Sequence, residues 1–103
     1  MNNNNFMNLK EQIEYPANGV LSKVISKTEK NNLTLFSMAA NTDIGTHTST
    51  KEGFVYVIEG KGTFVLNEEE IEMLPGTIIF MGQNAPHSLK AEENTSFLLS
   101  LNN

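Results

Sequence analysis

Two histidines are the side chains of this sequence best suited to chemistry. His47 and His87 are the only histidines among 103 residues, and there is no cysteine. An imidazole can bind a metal, move a proton or accept a hydrogen bond near neutral pH. The absence of cysteine excludes a disulfide framework, a cysteine-based zinc site and a cysteine nucleophile. Metal binding and acid–base catalysis both need the two rings close together, so the fold decides what they can do.

Other polar residues lie near each histidine. Ser49 and Glu52 follow His47, and Gln83 precedes His87. Glu52 would add a carboxylate to two imidazoles, which is the ligand set of many non-haem iron sites. Ser49 and Gln83 could instead hydrogen-bond a ligand, although turn chemistry explains both residues without one. Two neutral imidazoles could also share a water molecule or bind a ligand hydroxyl.

The charge of the chain argues against several classes of partner. The formal net charge is −5, and all seven basic residues are lysines. Nucleic-acid binding needs clustered lysine and arginine, and bidentate recognition of phosphate or carboxylate normally uses arginine. We therefore expect no nucleic-acid partner and no strongly anionic substrate.

Length and hydropathy predict one domain, 1–103, without a membrane anchor. No apolar run reaches the roughly 18 residues of a transmembrane helix. The N-terminus lacks the basic and apolar regions of a signal peptide, and its asparagine-rich residues, about 1–8, are expected to be flexible. Since there is no cysteine, we expect a cytoplasmic protein with no membrane partner.

The spacing of turn-forming residues predicts an all-β fold. Glycine, asparagine and acidic clusters recur at roughly six- to twelve-residue intervals between short runs of Val, Ile, Phe, Leu and Thr. No long apolar stripe has the helical period, so helix should be minor, with Leu9–Ile13 as one short turn or an edge strand. The predicted strands are Val20–Lys27, Asn32–Ala39, Ile44–His47, Phe54–Glu59, Gly62–Leu66, Glu70–Leu74, Thr77–Met81, His87–Ala91 and Ser96–Leu101.

Two of the breaks have recognisable turn chemistry. Asn67-Glu68 is a plausible hairpin tip, although Asn-Glu is a weaker turn pair than Asn-Gly. In Leu74-Pro75-Gly76, proline fixes φ and glycine tolerates positive φ. Both stretches should therefore reverse the chain between strands.

Two predicted strands are apolar on both faces. Within residues 54–58, Val55 and Val57 alternate with larger apolar side chains, and Ile78–Phe80 shows the same feature. One face can line a barrel, but the other needs a second layer. Either the first thirty residues fold back over it, or a second subunit does. We expect a homodimer with this sheet near the interface.

The order of these residues resembles the two signature motifs of small cupins. His47 takes the first-histidine position, and Gly60 closes the first motif. Gly76 opens the second motif, and His87 takes its histidine position. The resemblance covers roughly residues 33 to 100. It implies an all-β, double-stranded β-helix (jelly-roll) barrel with little helix, a fold that often holds one divalent metal through three histidines and a glutamate.

Several positions depart from that pattern. Asn41 and Asn84 stand where the family often has glycine, and asparagine best tolerates the left-handed φ required there. Ser49 replaces the second histidine. Gly53 falls at the glutamate position, and Glu52 is one residue too early. Because a shift of one residue along a regular strand turns a side chain to the opposite face, Glu52 could be a ligand only where the chain is irregular.

The resemblance therefore implies an incomplete metal site made of His47, His87 and, conditionally, Glu52. No cofactor is firmly expected, although iron, manganese, nickel or zinc could bind at partial occupancy. The first hypothesis is a small-molecule-binding domain whose barrel pocket lies near His47 and His87, with Ser49 and Gln83 as further ligand contacts. The alternative is a metal-dependent dioxygenase, isomerase or lyase that uses both histidines with Glu52 or water. A metal-free isomerase with one histidine as general base is a variant of it. The specific ligand and any catalytic residue stay open.

Overall fold

The computed structural model describes residues 5–103, and nearly all of its regular structure is β-strand. Leu9–Gln12 forms a short 3₁₀ helix, and no helix of residues 5–103 could cross a membrane by its length and hydropathy. The flexibility expected of residues 1–8 falls partly on residues 1–4, which lie outside the described residues. The strands are β1 (Val20–Lys27), β2 (Asn31–Met38), β3 (Asp43–His47), β4 (Gly53–Glu59), β5 (Gly62–Leu66), β6 (Glu69–Met73), β7 (Ile78–Met81), β8 (His87–Ala91) and β9 (Thr95–Asn102).

The strands form two antiparallel sheets that share one core. The larger sheet has the order β1-β2-β9-β4-β7, and the smaller has the order β3-β8-β5-β6. Only β1–β2 and β5–β6 join strands that are consecutive in the chain. The remaining neighbours are distant in sequence, as in a jelly roll. This arrangement confirms the predicted all-β jelly-roll barrel with little helix, and each predicted strand end lies within one residue of the observed one.

The turns use the residues that tolerate positive φ. Asn67 and Glu68 have φ of 49° and 71°, the signs required by a two-residue type I′ hairpin between β5 and β6. Asn41 and Asn84 have φ of 67° and 62°. The prediction that these two asparagines replace glycine in left-handed turns is therefore confirmed.

The inner faces of both sheets supply a common apolar core. Inward residues alternate with outward ones along strands such as β7 and β8, and both sheets contribute to the core. Burial of this apolar surface is the main force that holds the sheets together. The core consists of Met38, Val55, Val57, Phe64, Met73, Ile79, Met81, Leu89, Ala91 and Phe97.

The N-terminal segment covers part of the outer face of the larger sheet. The Tyr15 hydroxyl donates to Glu59 Oε2 at 2.8 Å and accepts from Ser96 Oγ at 2.7 Å. Ser96 Oγ lies 3.3 Å from Ser37 Oγ on the neighbouring strand. Burial, together with the Glu59 carboxylate, raises the pKa of the Tyr15 phenol to about 12. This contact ties the segment before β1 to the middle of the sheet.

The same layer does not cover the β4–β7 side of the sheet. Phe80 is 71% exposed, and Ile78 and Tyr56 are also exposed. Phe54 lies opposite Phe80, and Tyr56 lies opposite Ile78, in the antiparallel register. We call these four side chains the β4–β7 patch. The N-terminal segment thus covers the middle of the sheet but not the β4–β7 patch, and the expected homodimer stays a prediction.

Candidate functional site

A cavity of about 130 Å³ lies between the two sheets. Phe36, Phe64 and Phe97 line it from β2, β5 and β9. Phe36 and Phe97 are cross-strand partners whose rings stack with centroids 5.1 Å apart. Aromatic walls on both sheets make the cavity mostly apolar.

The rest of the apolar lining is aliphatic side chains and one methionine. These residues come from both sheets, and sequence alone does not separate them from core residues, because both groups face inward. They are Ile44, Val55, Met81, Leu89 and Leu99. A small concave site with such walls suits a small molecule that is largely apolar.

Two imidazoles form the polar corner of this cavity. His47 at the end of β3 and His87 at the start of β8 are direct register partners across the smaller sheet. Both line the cavity, and their ring centroids are 4.0 Å apart, with the planes inclined by 63°. His87 also stacks in parallel on Phe64, with ring centroids 5.7 Å apart. The fold therefore brings the two rings into contact at one hollow.

Backbone carbonyls fix the orientation of both rings. His47 Nδ1 lies 2.9 Å from Gly45 O, and His87 Nδ1 lies 2.9 Å from Ala85 O. A carbonyl oxygen can only accept, so both Nδ1 atoms must carry the hydrogen. His87 is 7% exposed. Within residues 5–103, every side-chain nitrogen or oxygen that is fully buried has a hydrogen-bond partner. Because His87 Nε2 has no such partner, this atom must be accessible from the cavity or from solvent. Each ring is thus left with Nε2 for a ligand.

A shift in register lets the exposed His47 line the cavity on the same side of β3 as Ile44. Ile44 and His47 are three residues apart, and strict alternation along a strand would place them on opposite faces. Both line the cavity because the pairing of β3 with β8 is irregular between them. Bulges of this kind re-aim side chains near functional sites.

The structure does not bring Glu52 together with the two histidines at the cavity. Glu52 is exposed and borders a separate surface depression with Phe54 and Phe80. The Asn102 N–H donates to its carbonyl oxygen at 2.9 Å, so strand pairing already extends to this residue. The irregularity that would turn Glu52 inward is absent, because β4 is regularly paired from Gly53 to Val57.

Ser49 and Gln83 lie in the loops next to the cavity but do not line it. The Lys51 N–H donates to Ser49 Oγ at 3.1 Å, which is a local turn contact. The Asn84 N–H donates to the Ser49 carbonyl at 2.7 Å and joins the two loops. Gln83 is exposed. Neither side chain lines the cavity next to the two imidazoles, and contact with a ligand stays a prediction for each.

The residues present do not fit a tightly held divalent metal. Catalytic zinc usually has three protein ligands, and non-haem iron commonly has two histidines and a carboxylate. Within residues 5–103, no three His, Cys, Asp or Glu side chains are grouped so that they could hold a metal ion. The histidine pair alone would hold such an ion weakly.

The pH dependence of stability should depend on His87. Burial lowers the pKa of His87 below the ordinary 6.5, the hydrogen bond to Ala85 opposes this effect, and the nearby His47 adds to the lowering. As pH falls through 6.5, His87 therefore becomes protonated in the unfolded chain while it remains neutral in the folded protein. The free energy of unfolding falls as a result.

We expect the urea midpoint to drop more between pH 7 and pH 5.5 in the wild type than in His87→Phe, which cannot titrate there. The contributions that acidic groups make to the pH dependence are common to both proteins and cancel in this comparison. Parallel pH dependences would contradict the prediction.

Comparison with known proteins identifies one family and many similar folds. The sequence profile of the Cupin domain matches residues 34–100. No curated protein matches the chain in sequence. The match includes both cavity histidines.

Three solved structures illustrate the similarity. A conserved protein of unknown function from Streptococcus pyogenes has a TM-score of 0.87 and 22% identity over 99% of this chain and 90% of its own. A cupin superfamily protein from Desulfitobacterium hafniense has a TM-score of 0.85 and 17% identity over 91% and 86%. A salicylate 1,2-dioxygenase mutant from Pseudoaminobacter salicylatoxidans has a TM-score of 0.77 and 20% identity over 84% of this chain but 28% of its own. At these identities the comparisons establish the fold.

Proposed function

Because this chain belongs to the cupin family, we propose that it binds a small, mostly apolar molecule in the cavity at His47 and His87. The observation that carries the proposal is the lining itself, in which eight apolar side chains surround two imidazoles. Such a site combines affinity from apolar burial with orientation by a few polar atoms. The protein would act as a sensor, a carrier or an accessory subunit. A cytoplasmic location is part of this proposal, since a chain without cysteine suits a reducing compartment.

Toluene tests whether the cavity takes up an apolar molecule. We expect toluene to raise the melting temperature of the wild type, and to raise it further as the toluene concentration increases above the dissociation constant. In Ile44→Trp a larger ring enters the cavity, and toluene affinity should fall about tenfold or more, equivalent to about 1.4 kcal/mol. Val24→Trp is the matched control, because Val24 is 64% exposed and does not line the cavity. Equal toluene binding in all three proteins would contradict the proposal.

A metal-dependent dioxygenase, isomerase or lyase is the second candidate. The contact between the two imidazoles favours it, because both Nε2 atoms are left without a backbone partner. Among residues 5–103 the histidine pair has no third protein ligand, so water would have to complete the coordination of a bound metal. A metal-free isomerase would instead use one imidazole as a general base.

Elemental analysis of protein purified without added metal separates these candidates. Stoichiometric iron, manganese, nickel or zinc that is lost in His47→Ala and His87→Ala would favour the enzyme. Metal below about a tenth of an equivalent would favour metal-free binding.

We also propose that the protein is a homodimer through the β4–β7 patch. The patch lies at β7, an edge strand with no charged residue. The edge strand β6 of the other sheet, in contrast, carries Glu69, Glu70 and Glu72, and such charges discourage pairing with another chain. A twofold axis would bring the four apolar side chains of one patch against those of a second copy, with the Glu52 carboxylate at the border of the patch.

We expect Phe80→Asp to convert the dimer to a monomer, because it would place a carboxylate in an apolar interface. Val24→Asp is the control, since it introduces the same charge at another exposed apolar residue on the opposite edge strand. Sedimentation velocity measures the outcome. A wild type that sediments as a monomer at all concentrations would refute the dimer.

A further inference from the structure

The polar corner also limits the chemistry of the bound molecule. We propose that the ligand is a single-ring compound that carries a hydroxyl group, and that this hydroxyl donates its hydrogen to Nε2 of His47 or His87. This inference rests on the proposed function, because it concerns the same cavity. It adds the size of the ligand and the direction of its hydrogen bond.

The direction of the hydrogen bond follows from the backbone contacts of the rings. Each histidine bonds through Nδ1 to the carbonyl of the residue two positions earlier, at 2.9 Å in both cases. These contacts hold the hydrogen on Nδ1, so Nε2 of the neutral ring has a lone pair and no hydrogen. The cavity therefore offers two acceptors to a ligand, and the matching group is a donor.

The other lining side chains offer no polar atom in place of the imidazoles. All eight are hydrocarbon or thioether groups, which cannot donate a hydrogen bond to a ligand. A carbonyl or ether that enters this cavity would face two lone pairs. A carboxylate would lose its hydration without a cation in the lining, which is costly. A hydroxyl group, in contrast, can donate its one hydrogen to either imidazole.

The size of the cavity limits the rest of the molecule. Its volume is about 130 Å³, and an apolar protein cavity of roughly 150 Å³ accommodates benzene. Phe36, Phe64 and Phe97 provide flat walls on both sheets, and aromatic groups favour stacked or edge-to-face contact with such walls. One six-membered ring therefore fills the space, and phenol is the simplest molecule with the required donor.

Phenol and toluene form the matched pair of probes, because they differ by a hydroxyl in place of a methyl group. The ratio of their dissociation constants is measured by calorimetry for the wild type, His47→Phe and His87→Phe. Hydration differences between the probes cancel when this ratio is compared across the proteins. We expect the preference for phenol to fall about fivefold in at least one variant, the one that removes the accepting imidazole, because roughly one hydrogen bond is lost there. Benzoate, which has a ring but no donor, should bind more weakly than phenol to the wild type.

A second measurement needs no substitution and therefore does not depend on the variants folding. Imidazole ¹⁵N spectra of the wild type should show both rings with hydrogen on Nδ1, and phenol but not toluene should shift the Nε2 resonances. Hydrogen on Nε2 of both free rings, benzoate binding tighter than phenol, or an unchanged probe ratio in both variants would overturn the ligand class. Any of these results with toluene still bound would leave the proposed function standing. Failure of every probe to bind would overturn both.

Discussion

Replacing Gly53 by alanine should lower the free energy of unfolding by about 3 kcal/mol or more. A Cβ atom at this position would lie 1.8 Å from Ser100 O, 2.8 Å from Ser100 C and 3.0 Å from Leu101 Cα. All three atoms belong to the backbone of β9, which is paired between β2 and β4 in the larger sheet. The clash can be relieved only if β4 and β9 separate, which would break ladder hydrogen bonds.

Chemical denaturation of Gly53→Ala and of the control Gly82→Ala measures this effect. A Cβ at Gly82 would meet nothing within 4 Å. The control should therefore remain within about 1 kcal/mol of the wild type, because the change acts mainly on the entropy of the unfolded chain. If both variants unfolded at the same denaturant concentration, the close approach of β9 to Gly53 would be wrong.

Phe64→Ala should cost about 3–5 kcal/mol, the range for removing a buried aromatic ring. Phe64 is 1% exposed, belongs to the core and stacks on His87. Its removal would enlarge the cavity that it lines and take away the ring that stacks on His87. The loss should therefore appear in stability and in the tightness of phenol binding.

Phe6→Ala provides the control for this substitution. Phe6 is 80% exposed, so the same truncation should change stability by no more than about 0.5 kcal/mol. Both variants are measured by urea denaturation, and phenol affinity is measured where the protein remains folded. Equal midpoints for the two variants would show that Phe64 does not support the core.

Local chemistry explains why the strands and turns were predictable. Positive φ is costly for most residues, and Asn41 and Asn84 stand where the cupin pattern often has glycine, so left-handed turns were expected there, and φ of 67° and 62° agrees. The alternation around Val55 and Val57 likewise identified β4, and both side chains are buried. These features depend on residues that are close in sequence.

The cavity lining was less predictable because it depends on register between distant strands. Phe36, Phe97 and Leu99 could belong to core or cavity on sequence alone, and the pairing of β2 with β9 determines their places. The irregular pairing after Ile44, which lets the exposed His47 line the cavity, has no clear signal in the sequence. The covering of the larger sheet posed the same difficulty, because the contact between Tyr15 and Ser96 joins residues far apart in the chain.

The close approach of β9 to Gly53 also limits how this protein could acquire a new metal-based activity. Gly53 occupies the position at which the cupin pattern has its glutamate. The Cβ atom of any side chain there would clash with the carbonyl oxygen of Ser100. One point mutation at this position therefore cannot supply the carboxylate ligand, whether it arises by natural selection or by laboratory engineering. Directed evolution toward metal-dependent catalysis should begin elsewhere on the cavity wall, for example at Leu99, with β4 and β9 left unchanged.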